Sequence, residues 1–409
     1  MSPLAFRNAT LVLPDRLVPD GTLVVAGDHI AAVGQGVPVP AGATVRDLGG
    51  AYLLPGFVDL HVHGGDGADF MDLSAEAFRT VCRCHARHGT TTLTPTSGVA
   101  GHADCLRFLG LCRQLRHEGT GGARVHGGHL YGPYFRPEAK GCHPAEGLRP
   151  IDPGEVADYL RFAGDGLSTV TVAAELPGAE GLVRAARAAG MVCTVGHSYA
   201  TFGEMEAAVG WGVEHIDHLF CAMSDRARLR QSQAFPMRGG VLEATLFFDE
   251  LTTEVIADGW HLSADLLRLA WKVKGPDRLC LVSDAMRAVD CSDGEYWFGP
   301  VGRGQLVRKR GDVGVTLDGA GLASGVTGMD HAVRTFHRLT GRPLPECVRM
   351  ASLTPARVLR LDAECGSLDI GKRADLVVLN ANLAVLEVFV GGERLEYTQK
   401  DSNLQPSVP

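Results

Sequence analysis

Between positions 57 and 355 the chain alternates short apolar runs with longer stretches in which apolar residues recur every three to four positions. The short runs, bounded by Gly, Asp and Pro, read as strands, because a buried strand needs only a few consecutive apolar residues between turn formers. They fall at 57–63, 91–94, 125–131, 169–174, 192–197, 214–219, 254–257 and 280–284. Stretches with helical periodicity fill most of the gaps, at 75–88, 182–189, 202–209 and 264–273. About eight strand–helix units in a chain of this size have the length and rhythm of a (β/α)8 TIM barrel, with a doubly wound open sheet as the competing arrangement. Residues 286–326 break the alternation and read as a β-rich excursion with Gly and Asp turns.

The two ends share a different texture. Runs at 10–14, 22–26 and 29–33, and again at 374–379 and 383–390, are β-rich and punctuated by Gly and Asp. Neither end has enough strands for a stable sheet of its own. The expectation is a small β-sandwich domain assembled from both chain termini, 1–54 plus 360–400, with the α/β barrel, 55–359, inserted between them.

Composition narrows the class. Of 409 residues, 45% are hydrophobic and 21% charged, which suits a packed globular protein and excludes a disordered chain. The net charge of −8 has the wrong sign for wrapping nucleic acid or an anionic membrane. No apolar stretch reaches membrane-spanning length, and the first residues lack a basic stretch followed by an apolar run. Eleven scattered cysteines with no CxxC pair read as small core residues with free thiols, so a cytoplasmic location is expected.

Chemistry gathers at the carboxyl ends of the candidate strands: His61 and His63, Tyr131, Glu175, His197, His218 and Asp284. Residues two apart in a strand face the same side, so His61 and His63 can chelate one ion. In a parallel barrel the other strand ends converge on the same mouth, where such enzymes carry out their chemistry. Four imidazoles and a carboxylate make a divalent transition-metal site, for zinc first, with iron or manganese as alternatives and one or two ions per chain.

These residues lie in stretches that resemble the amidohydrolase superfamily, and within it the N-acetylglucosamine-6-phosphate deacetylases. The matching segments are 55–65, 128–135, 140–144, 195–198, 218–223, 255–261, 281–286 and 322–330, followed by 351–357 and 371–378. They run through nearly the whole chain in order. The resemblance implies a barrel with a two-terminus β-sandwich, a homodimer, and hydrolysis of the acetamide of a phosphorylated amino sugar by a metal-activated water. It implies Asp284 as general base and then general acid, and His143 as the group that meets the substrate carbonyl. Cys221, Ala222, His261 and a loop arginine, taken as Arg230, fall at positions that meet the sugar phosphate.

Two positions and one loop depart from that pattern. Tyr131 stands where the family has a metal-ligating Glu, and a neutral phenol is a far poorer ligand than a carboxylate. Cys221 replaces an Asn, and the 224–240 loop is longer and rich in arginine (Arg226, Arg228, Arg230, Arg238). Without that Glu, one ion can sit on His61, His63, His197 and Asp284, leaving His218 to polarise the substrate. Alternatively, Glu175 replaces the missing ligand. A one-metal deaminase or cyclic-amide hydrolase of the same superfamily, and a non-catalytic relative, therefore stand beside the deacetylase reading.

Overall fold

The computed structural model describes residues 2–232 and 235–396. Eight parallel strands carry the centre of the molecule: β1 (Phe57–Val62), β2 (Thr90–Pro95), β3 (Gly128–Tyr131), β4 (Leu167–Val172), β5 (Val192–Val195), β6 (His215–Ile216), β7 (Thr252–Ile256) and β8 (Leu279–Val282). β1 pairs with β2, and β3 through β8 pair in sequence order, every pair parallel. Single parallel bridges join Thr96 to His129 and Val62 to Ala285, so the chain of neighbours returns from β8 to β1. Most residues of these strands are buried on both faces. That is why they appear in the sequence as unbroken apolar runs rather than as alternation.

The helices between them bury one stripe each. Helix Ala75–Arg87 starts where the Ser74 side chain accepts from the Ala77 amide, and it presents Phe78, Val81, Cys82 and Cys84 inward. Helix Phe202–Trp211 opens with a reciprocal Thr201–Glu204 capping box and stops at Gly212, whose φ of 115° suits glycine. Each fully buried large side chain, such as Phe57 or Phe78, stabilises the fold by about 1.5–3 kcal/mol.

Both termini enter one mixed sheet. Leu4–Val12, Leu17–Ala26, His29–Gln35, Thr44–Asp47 and Tyr52–Pro55 join Leu376–Leu379, Val385–Val390 and Glu393–Arg394. The seam is Tyr52–Pro55 against Leu376–Leu379, antiparallel. Phe6, Leu11, Leu23, Leu53, Leu376 and Phe389 pack together on this sheet. The excursion after β8 is a three-stranded antiparallel sheet, Gly294–Phe298, Gln305–Arg310 and Val313–Thr316. Its Phe298 side chain returns to pack against His63 and His143, so the excursion supplies a wall to the cavity described next.

Candidate active site

A cavity of about 340 Å³ opens at the carboxyl ends of the parallel strands. Its lining includes His63, Tyr131, His143, His197, His218, Cys221, Ala222, His261 and Asp284. The backbone there is unusual: His197, His218 and Asp284 have φ of 48°, 20° and 43°, in or beside the left-handed region that side-chain-bearing residues rarely adopt. Three strands thus turn sharply just beyond their last ladder pair, and each turn aims its functional side chain into the cavity. Held geometry of this kind is a recurrent feature of functional sites.

His61, His63 and Asp284 place one ligand atom each within 4.8 Å of one another. Asp284 Oδ1 lies 3.5 Å from His61 Nε2 and 3.3 Å from His63 Nε2. The other His61 nitrogen, Nδ1, donates to Glu254 Oε1 at 2.6 Å. That fixes the proton on Nδ1 and leaves Nε2 buried with no hydrogen-bond partner. A buried bare nitrogen beside a second imidazole and a carboxylate fits a divalent metal ion, and the carboxylate behind the histidine is the usual orienting arrangement. Burial alone would depress the His61 pKa, but the Glu254 and Asp284 charges outweigh it and raise it to about 10. This group of carboxylates therefore calls for a positive charge, which either a proton or a cation supplies. Burial disfavours the charged Asp284 carboxylate too, yet the His61 charge and the His63 hydrogen bond hold it well below the usual carboxylate range.

The remaining two imidazoles form a separate group. His197 Nδ1 donates to the Ala139 carbonyl at 2.6 Å, so its Nε2 carries the lone pair. That Nε2 lies 3.3 Å from His218 Nε2. The Tyr131 hydroxyl is hydrogen-bonded to the same His218 nitrogen at 2.6 Å. Burial, with Asp217 and Asp284 nearby, pushes the Tyr131 phenol well above its ordinary value, so it stays protonated. The His218 ring stacks on His61 at 5.6 Å and lies 5.1 Å from the His197 ring, so the four imidazoles converge, with His61, His63 and Asp284 as the tighter group.

On the substrate side, His143 Nδ1 accepts from the Val99 amide at 3.4 Å, leaving Nε2 as the donor. Burial and the His197 and His63 rings hold its pKa well below the ordinary value. His143 is thus a neutral donor facing the cavity. His261 donates from Nδ1 to Asp258 Oδ2 at 2.7 Å. Burial opposes its protonation, but the Asp258 hydrogen bond and charge prevail and raise its pKa.

Two expected residues lie elsewhere. Glu175 spends its oxygens on Ser198 Oγ and the Tyr199 amide, both at 2.6 Å, and does not line the cavity. It anchors the turn after β5. Arg230 is exposed at the end of the short helix Arg226–Leu229, away from the cavity lining. Arg228 is the arginine that reaches the cavity wall, stacking 4.5 Å over the ring of Tyr199, a lining residue.

Sequence reasoning missed the layer beneath the cavity. Besides His61, Glu254 accepts from the His218 amide at 3.2 Å and from His215 Nε2 at 3.3 Å. Asp217 accepts from Thr194 Oγ1 at 2.6 Å and Thr171 Oγ1 at 2.9 Å, and Thr171 also contacts His129 Nε2 at 2.7 Å. Asp59 accepts from Ser283 Oγ at 2.5 Å, tying β1 to the end of β8. The one available signal was a charged residue opening the apolar run at 254–257.

Comparison with known proteins decides the family. The sequence profile of the amidohydrolase family matches residues 52–395. The chain belongs to the amidohydrolase family. This amidohydrolase is 33% identical over 387 residues to an N-acetylgalactosamine-6-phosphate deacetylase of Escherichia coli O157:H7, covering 95% of this chain and 98% of that one. It is 32% identical over 345 residues to an N-acetylglucosamine-6-phosphate deacetylase of Vibrio furnissii, covering 84% and 83%. Among solved structures it is similar to a mutant N-acetyl-D-glucosamine-6-phosphate deacetylase from Mycobacterium smegmatis in complex with N-acetyl-D-glucosamine-6-phosphate. The TM-score is 0.88 at 33% identity, over 97% of this chain and 100% of that one. Among the described residues no helix is long and apolar enough to cross a membrane.

Proposed function

We propose that this amidohydrolase is a metal-dependent deacetylase of an N-acetylhexosamine 6-phosphate, N-acetylglucosamine 6-phosphate first. The observation that carries the reading is the buried, unpartnered His61 Nε2 beside His63 and Asp284, in a cavity that His143 also lines. The chain's near-complete overlap with deacetylases of two such sugars supports the substrate class. Galactose and glucose differ at one hydroxyl, so the shared acetamide and phosphate define what must be recognised.

Zinc is the ion we assign to His61, His63 and Asp284, since two imidazoles and a carboxylate would suit it. When bound, such an ion acidifies a water and polarises an amide carbonyl. The chain's own groups do the rest. Asp284, ionised and facing the cavity, takes a proton from the attacking water and delivers it to the departing nitrogen. His143 donates from Nε2 to the carbonyl oxygen as negative charge develops there. His261, whose protonation Asp258 favours, meets the anionic end of the substrate, with Arg228 at the wall beside Tyr199.

The closed run of eight parallel strands supports reading 55–359 as a (β/α)8 barrel. The mixed sheet supports a smaller β-sandwich domain from 1–54 and 360–400, of which 397–400 lie outside the described residues. A homodimer and a cytoplasmic location complete the proposal. Eleven free cysteines suit a reducing compartment. Light scattering at micromolar protein tests the dimer.

The engagement of Tyr131 with His218 favours, as second reading, a one-metal deaminase or cyclic-amide hydrolase of the same family. Acetate release from the two N-acetylhexosamine 6-phosphates, set against ammonia release from aminated heterocycles, separates the readings. Asp284→Asn is expected to slow acetate release by about 10²-fold or more. Unchanged turnover in that variant would refute the assignment of Asp284.

A further inference from the structure

The five groups here that a metal could use divide into a triad, His61, His63 and Asp284, and a pair, His197 and His218, and the difference in their readiness lies in one hydroxyl. Two nitrogens each about 2.0–2.1 Å from a tetrahedral zinc stand about 3.3–3.4 Å apart. His197 Nε2 and His218 Nε2 are 3.3 Å apart, the spacing of such a pair. The His63–Asp284 contact has the same spacing, 3.3 Å. At His61 the ligand nitrogen is bare, because Glu254 takes the proton on the opposite side of the ring. At His218 the ligand nitrogen is engaged by Tyr131 Oη at 2.6 Å. If the phenol donates, the Nε2 lone pair is consumed. If Nε2 carries the proton, there is no lone pair to offer. In both cases His218 cannot ligate through Nε2 while Tyr131 stays in place.

Nothing about Tyr131 suggests that it swings aside. Its ring is almost fully buried, packed edge-on against His61, His129, Phe135 and His197, with centroids 4.4 to 5.3 Å away. Its amide is held by Ser97 Oγ at 2.9 Å. We propose that Tyr131 caps a latent second metal site on His197 and His218, so that the chain holds a single divalent ion, on His61, His63 and Asp284. This rests on the metal-dependent reading of the cavity. It adds which half of the cavity is loaded and which residue keeps the other half closed. Replacing the phenol by a carboxylate would remove the hydroxyl from His218 Nε2 and add one anionic ligand to a neutral nitrogen pair already at tetrahedral spacing.

The test counts ions without substrate. Protein saturated with zinc, then with cobalt as a second probe, is desalted and its metal content measured per chain. Wild type is expected to hold one ion. The double variant His61→Asn with His63→Asn should hold none, and His197→Asn with His218→Asn should keep one. Tyr131→Glu should rise to two. Two ions in wild type would overturn the proposal, as would loss of the ion with the His197 and His218 pair but not with the His61 and His63 pair. A folded Tyr131→Glu that stays at one ion would overturn it too. If Tyr131→Glu does not fold, the two histidine-pair variants decide. Because no turnover is read, a wrong substrate would sink the deacetylase reading and leave this count intact.

Discussion

Glu254 offers the sharpest perturbation of the site from outside the cavity. It lies on β7, fully buried, and accepts hydrogen bonds from His61 Nδ1, His215 Nε2 and the His218 amide at 2.6, 3.3 and 3.2 Å. Glu254→Gln keeps the shape but replaces one accepting oxygen with a donor, which cannot satisfy both imidazoles in their present tautomers. Loss of one charge-assisted hydrogen bond costs about 1.5–3 kcal/mol. Removing the carboxylate altogether, as in Glu254→Leu, is expected to cost about 3–5 kcal/mol, because it leaves polar partners buried and unpaired. The larger effect is on the metal: losing the orienting carboxylate frees the His61 ring to rotate, and affinity should fall about 10- to 100-fold. Competition with a chromophoric chelator measures that affinity directly, and denaturant unfolding of the metal-stripped protein measures the stability term separately. A Glu254→Gln protein that binds zinc within about twofold of wild type would refute the claim that Glu254 orients His61.

Three further outcomes are expected. Gly196→Ala should destabilise the fold by about 1–3 kcal/mol in thermal unfolding, since an added Cβ would stand 2.2 Å from the Asp217 oxygen that Thr171 needs. His88, clamped between Asp290 and Asp330 at 2.9 Å each, is raised to about 10 because those carboxylates and their hydrogen bonds outweigh its burial. Its folded pKa exceeds the unfolded one of about 6.5, so its contribution is complete below that pH and is lost as pH rises toward 10. Unfolding free energy should therefore decline between pH 7 and 10, and His88→Gln should flatten that decline. Chelation should abolish acetate release, with zinc restoring it.

What the sequence disclosed and what it hid follow from the range over which each interaction acts. The central strands were legible because burial on both faces makes a continuous apolar run, and Gly or Asp ends it. His61 and His63 announced themselves because strand geometry turns a spacing of two into a shared face. Glu254 left no such mark: its partner His61 is 193 positions away, and a charge inside a strand has no meaning until the strands close around it. The same holds for Asp217 and Asp59, whose partners lie on other strands. Glu175 and Arg230 show the complementary case. Chain position put them near the mouth, but the turn after β5 claims one and solvent claims the other. The division of the histidines into two pairs was invisible in the sequence, since it depends on the 2.6 Å approach of Tyr131 to His218.

The most direct measurement is acetate release from N-acetylglucosamine 6-phosphate by metal-stripped protein before and after zinc is added back, with unphosphorylated N-acetylglucosamine run in parallel. Turnover that appears only with metal, and strongly favours the phosphorylated sugar, is the predicted result. Equal turnover with and without metal, or no acetate from the phosphorylated sugar at any zinc level, would contradict it.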